Sequence, residues 1–231
     1  MQNDVRLFFT KTGFAKYISH LDLMRCMSRA VKRAGIPLWY TEGFNPHLFM
    51  TFARPLSLGQ ESLCEVVDVR LVGEMTFKEI QTRLNDALPK DITVVSVQKP
   101  VHKPSEIAFA EYAVHLFCDN PSVLKSYMET AFSQEQITVL KKAKQGRRKI
   151  DKEMDIKPNV LRFDIYAEDD AVKLELRLTA GDQTNINPTL LLSALTDGFD
   201  GEIQNTDILK KHILLENGEP FCWFMRICRF L

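Results

Sequence analysis

"ESLCEVVDVRLVGEMTFKEIQTRLNDALPKDITVVSVQK", residues 61–99, is the stretch whose reading decides the fold. Its opening, rich in Val and Leu, reads as a strand over residues 62–71. Thr76 then stands where a helix N-cap belongs, and TFKEIQTRLNDAL places its apolar residues at helical spacing. DITVVSVQK is β-branched again and reads as a second strand.

Towards the amino terminus, residues 5–18 carry β-branched and aromatic side chains and read as a strand or hairpin, with Gly13 as a bend or bulge. Ser19 is a good N-cap, Asp22 three residues on resembles a capping box, and Gly35 and Pro37 stop the helix that follows. TEGFNPHLFMTFARPLSLG then predicts a turn at Gly43 to Pro46 and extended chain beyond it. Asn45 precedes a proline, which drives it away from helical angles. The order β-α-β-β-α-β is that of a ferredoxin-like domain closing near Pro104.

KPVHKPSE breaks the pattern, and a second series starts. It comprises a strand at 112–117, a helix opened by Asn120 and Pro121, and a short strand in QITVLKK. A polar insertion follows, KKAKQGRRKIDKEMD, with six basic residues in the nine from Lys141 to Lys149, and reads as a solvated loop. A hairpin turning at Glu168 to Asp170, a helix capped by Asn187 with Pro188 in its first turn, and strands near Ile213 and Phe224 complete the chain. The expected class is therefore α+β: two ferredoxin-like units in tandem, the second irregular. Their expected ranges are 1–104 and 105–231, with the basic insertion near 141–157. No internal sequence repeat is visible.

With 231 residues, 45% apolar and 26% charged, the chain can bury a real core, and its apolar runs are far below the roughly 20 residues of a membrane span. MQNDVRLFF lacks the basic and apolar regions of a signal peptide, so a cytoplasmic protein is expected. The five cysteines are scattered without a CxxC pair, which predicts reduced thiols, no metal centre and no cofactor. Cys222 and Cys228 are the pair with the nearest approach to ligand spacing. The zero net charge hides an asymmetry: residues 5–57 hold eight Lys or Arg against two acids, and residues 158–231 hold seven against twelve. The amino-terminal part is the one suited to a polyanion.

On a helical wheel Leu23, Met27, Ala30, Val31 and Ala34 share one side of the first helix, and Arg25, Arg29, Lys32 and Arg33 the other. Trp39, Tyr40, Phe44, Phe49 and Phe52 follow, interleaved with Arg54, and aromatic faces beside cations suit single-stranded nucleic acid. Expected nucleic-acid contacts are Arg25, Arg29, Lys32 and Arg33 at phosphate, Asn45 and His47 at the turn, and Arg54 at the rim. Ser19, His20 and Asp22 belong to the same constellation. His20 and His47 are also the candidate acid–base pair for RNA cleavage, because imidazole titrates near neutrality. No Ser-His-Asp order, Gly-rich phosphate loop or HExxH pattern points to another enzyme class.

SHLD (19–22), RAVKRA (29–34), GFNPH (43–47) and PLSLGQES (55–62), with MDIKP (154–158) further on, resemble the radical-SAM-linked family of unknown function. Members of that family occur in bacteria alone or fused behind cobalamin-binding radical SAM proteins. The resemblance implies a radical SAM protein as partner and a link to RNA metabolism. The domain order also looks like that of CRISPR repeat-processing proteins, an analogy of fold alone. The expected function is an accessory RNA-binding protein associated with a radical SAM enzyme, with no activity of its own. The alternatives are a metal-independent endoribonuclease using His20 and His47, and a protein-interaction module with no RNA role.

Overall fold

The computed structural model describes residues 2–145 and 148–222. The chain divides into two compact units, one of Met1–Ile107 with Leu209–Leu231, the other Ala108–Ile208.

The first unit runs β1 (Gln2–Lys11), α1 (His20–Arg33), β2 (Met50–Phe52), β3 (Glu61–Val72), α2 (Phe77–Ala87) and β4 (Ile92–Gln98). Its sheet is antiparallel in the order β4-β1-β3, with β2 paired along the far side of β3. Period-two alternation turns Val5, Leu7 and Phe9 of β1 and Val67, Val69 and Leu71 of β3 to one face. There they meet Leu23, Met27 and Val31 of α1 and Ile80 and Leu84 of α2 in one buried cluster. Each such side chain contributes about 1.5–3 kcal/mol by leaving water.

α1 begins where the sequence predicts. The Asp22 amide donates to Ser19 Oγ at 3.2 Å, and Ser19 Oγ donates to the Asp22 carboxylate at 2.7 Å. It ends at Gly35, whose φ of +64° is one that a side chain resists. The two helices cap each other: Arg33 donates to the Ala87 carbonyl at 2.7 Å and Arg83 to the Ala34 carbonyl at 3.5 Å. Cations at C-terminal carbonyls also offset the helix dipoles.

The expected strand over 5–18 is shorter in the structure. β1 stops at Lys11, and Gly13–Tyr17 form a 3₁₀ turn. Gly13 has φ +53° and its N–H donates to Glu61 Oε1 at 2.6 Å. Thr12 and Phe14 donate to the carbonyl and carboxylate of Asp91 at 2.9 and 3.1 Å. These acceptors take the donors that a ladder would have used.

The second unit contains β5 (Ile107–Cys118), α3 (Pro121–Ser133), β6 (Thr138–Gln145), β7 (Arg148–Asp155), β8 (Val160–Ala167), β9 (Ala171–Thr179), α4 (Pro188–Leu195) and the start of β10 (Ile203–Leu215). β5, β9 and β8 form an antiparallel sheet. Setting β6 and β7 aside, the order is again β-α-β-β-α-β. Among the described residues β6 and β7 pair only with each other, in register from Thr138↔Asp155 to Gln145↔Arg148. The stretch expected as a solvated loop over 141–149 is thus mostly strand. Backbone pairing satisfies N–H and C=O groups whatever the side chains carry, which a reading of polarity alone overlooks. The strand expected near Phe224 lies outside the described residues.

The fold is mixed α+β, its sheets mostly antiparallel, with four α-helices among the described residues. No described helix is long and apolar enough to cross a membrane. In the first unit, Leu209 and Lys210 of β10 pair in parallel with Glu61 and Ser62 of β3.

Candidate functional site

α1 presents two chemically opposite sides. Leu23, Met27, Ala30 and Val31 are buried, whereas Arg25, Arg29, Lys32 and Arg33 are exposed. Arg25 lies 2.9 Å from Asp22 Oδ1, but the two side chains are 68% and 55% exposed, so the pair holds its cation weakly. The Asp22 carboxyl is held below its usual range, first by the Ser19 hydroxyl and then by Arg25. Neither Arg29 nor Lys32 forms an ion pair among the described residues. Lys32 Nζ instead sits 5.8 Å from the centroid of the Tyr40 ring, which joins the cationic side of α1 to the next segment. Arg33 doubles as the cap on α2.

That segment is a small hairpin. Phe49 N–H donates to the Trp39 carbonyl at 3.0 Å, Thr41 N–H to the His47 carbonyl at 2.8 Å, and Tyr40 bridges Leu48. At the tip Gly43 has φ +118°, His47 N–H donates to Thr41 Oγ1 at 3.1 Å, and His47 Nδ1 lies 3.2 Å from the Asn45 carbonyl. Nδ1 also lies 3.1 Å from Thr41 Oγ1, so either tautomer of the ring finds a partner within the turn. Asn45 and His47 are exposed, and Phe44 is fully so.

The five aromatics predicted beside the cations divide. Trp39 and Phe49 flank the Arg70 guanidinium at 5.3 and 4.8 Å, and Arg70 in turn binds Asp4 at 2.6 Å. Phe52 packs edge-on against Phe9 and, at 5.0 Å, against His20. Tyr40 and Phe44 remain exposed.

The two histidines occupy different settings. His20 is half-buried against Phe52, and its buried Nδ1 has no hydrogen-bond partner among the described residues. His47 stands on the exposed turn. Arg54 is half-buried, its guanidinium directed at the carbonyls of Ala53 and Ile107 at 3.2 and 3.4 Å. A shallow hollow of about 410 Å³ adjoins the end of α1, lined by Arg33, Ala34, Arg83, Asp86 and Ala87. The side chains of the basic run at 141–149 lie outside the described residues. No described group of His, Cys, Asp or Glu has the arrangement of a metal site. Cys228 lies outside the described residues, and burial pushes the Cys222 thiol up.

One cluster escaped the sequence reading. Lys11, Glu65 and Lys210 are each 2–3% exposed. Lys210 Nζ lies 2.6 Å from Glu65 Oε1 and donates to the Arg54 carbonyl at 3.3 Å. Burial lowers the Lys11 pKa, the Glu65 charge opposes that shift, and Lys210 adds to it. A signal existed for two of the three. Lys11 continues the inward series Val5, Leu7, Phe9, and Glu65 begins the series that runs on to Val67, Val69 and Leu71. Lys210 arrives by pairing with a strand about 150 residues earlier, which no local pattern announces.

A family model described as "Uncharacterized protein conserved in bacteria (DUF2344)" matches residues 5–188. Among curated proteins, none matches this sequence. Solved structures with similarity include a chain of a Cbf5-Nop10-Gar1 complex at 10% identity and TM-score 0.45, the match covering 90% of this chain and 48% of that one. An unknown protein from Galdieria sulphuraria is 10% identical at TM-score 0.28, with 91% and 99% covered. A heavy metal efflux pump is 8% identical at TM-score 0.24, with 90% and 28% covered.

Proposed function

The chain belongs to that uncharacterised family conserved in bacteria, and we propose that it is an accessory RNA-binding protein that works beside a radical SAM enzyme and catalyses no reaction itself. The observation that carries the RNA reading is continuity: the cationic side of α1 runs through the Lys32–Tyr40 contact into a hairpin with exposed polar and aromatic groups. Arg25, Arg29 and Lys32 meet phosphate, and Arg33 adds charge from its capping position. Asn45 and His47 offer hydrogen bonds at the turn, and Arg54 supports the interior side. The radical SAM partner rests on the sequence resemblance.

Phosphate contacts release counterions, so affinity falls linearly with salt on logarithmic axes, by about 0.7 in slope per contact on single strands. Replacing Arg25 and Arg29 together by Glu is expected to flatten that slope by at least about 1.4 and to weaken binding at every salt concentration. Unchanged affinity and slope would rule out this face. The endoribonuclease reading draws support from the exposed imidazole of His47, and it would prevail if His47→Ala abolished cleavage while binding persisted. Recovery of a radical SAM protein from native cells with no RNA effect in any variant would favour the protein-interaction module.

A further inference from the structure

We infer that Phe44 is a base-stacking residue, so that the RNA held by this protein is unpaired where it crosses the hairpin tip; this rests on the RNA reading above. Phe44 is 108% exposed, more open than any other large apolar side chain described in the protein. An aromatic ring left in water forgoes its largest source of stabilisation, and a lone exposed ring on a mobile loop would mean little. The tip of this hairpin, however, is braced. The Thr41 and His47 backbones are joined by one bond between main chains and a second through the threonine hydroxyl, and the His47 ring reaches the Asn45 carbonyl. Pro46 fixes a further backbone angle. Gly43, at φ +118° with nothing within 4 Å of where a Cβ would stand, is there for its backbone and not for close packing.

The ring is thus presented by a pre-organised turn, and its surroundings suit one class of occupant. Tyr40, at 44% exposure, belongs to the same hairpin and has the ammonium of Lys32 5.8 Å from its ring centroid. Asn45 and His47 are exposed on the same turn and carry hydrogen-bonding groups able to meet a base edge. A chain that lays phosphates along α1 therefore delivers its next nucleotides to an aromatic face. Paired bases have both faces covered within the helical stack, and the A-form major groove is too deep and narrow to be read by side chains. Unpaired bases have faces to offer, and replacing a stacking aromatic by Ala weakens binding by about 5- to 150-fold.

The test uses the full chain and two RNAs with equal numbers of phosphates, one unpaired and carrying 2-aminopurine near its centre, the other a blunt duplex. The parent is expected to bind the unpaired RNA at least about ten-fold more tightly and to change the 2-aminopurine fluorescence. Phe44→Ala should lose about 5- to 150-fold on the unpaired RNA, leave duplex affinity and the salt slope unchanged, and abolish the fluorescence change, while Phe44→Tyr retains all three. Because the ring is fully exposed, the circular dichroism and unfolding temperature of Phe44→Ala should match the parent's. Equal affinity of parent and Phe44→Ala for the unpaired RNA, with Arg25→Glu/Arg29→Glu still weakening both RNAs, would overturn the stacking role and leave RNA binding standing. Binding of neither RNA by the parent would remove both.

Discussion

Replacing Glu65 by Gln keeps the shape of the side chain and removes its charge, stranding Lys210 and Lys11 in the interior of the first unit. The Lys210–Glu65 pair stands at 2.6 Å with side chains only 4% and 2% exposed. At an effective dielectric of about 20 the direct attraction over that distance is ~6 kcal/mol. Desolvation of both ions offsets much of it, so the pair contributes little beyond a well-packed apolar alternative, but its rupture is expensive because one charge stays buried and uncompensated. The expected loss for Glu65→Gln is about 3–5 kcal/mol. For a chain of this length that corresponds to a fall in Tm of about 6–20 °C. The assay is thermal unfolding followed by circular dichroism near neutral pH, with urea midpoints at unchanged m as a cross-check. The companion is Glu65→Leu with Lys210→Met, expected to regain part of the loss because the two charges of the pair go together and Lys11 alone is left without its carboxylate. A Glu65→Gln protein within about 1 kcal/mol of the parent would refute the reasoning, as would a double variant no more stable than the single one.

Three further outcomes follow from the same unit. Burial lowers the Lys11 pKa below 10.5, so between the folded value and 10.5 the unfolded chain binds more protons and stability rises with pH; it is lost as pH falls through the folded pKa. Lys11→Met should flatten that alkaline rise, measured as urea midpoints from neutral pH to about 10.5. Met27→Ala, at a side chain with 0% exposure under the sheet, should cost about 2–5 kcal/mol in chemical denaturation. Ser19→Ala removes the acceptor for the Asp22 amide and should cost about 1 kcal/mol, with hydrogen exchange rising first in the opening turn of α1.

How far the site could be read in advance depended on the range of the interactions that build it. The buried and cationic sides of α1 came from helical periodicity within fifteen residues, and Leu23, Met27 and the exposed arginines stand as that periodicity requires. The fate of the aromatics did not. Trp39 and Phe49 are committed to Arg70, which reaches them from β3, so their sequence neighbours say nothing about exposure. Phe52 packs against the His20 ring because β2 pairs there with β3, a contact that the residues around His20 do not announce. The polar run at 141–149 concealed strands for a different reason: pairing is a backbone transaction, and composition reports only on side chains.

Local chemistry was enough to determine the order of strands and helices in the first unit, their caps at Ser19 and Thr76, and which side of α1 carries charge, because each depends on residues a few positions apart. Tertiary structure alone decided that Lys210 meets Glu65, that two of the five aromatics stay in water, and that Arg33 and Arg83 cap opposite helices. Those contacts join residues separated by dozens of positions. Their formation depends on how the sheet closes over the helices, which no short window of sequence contains.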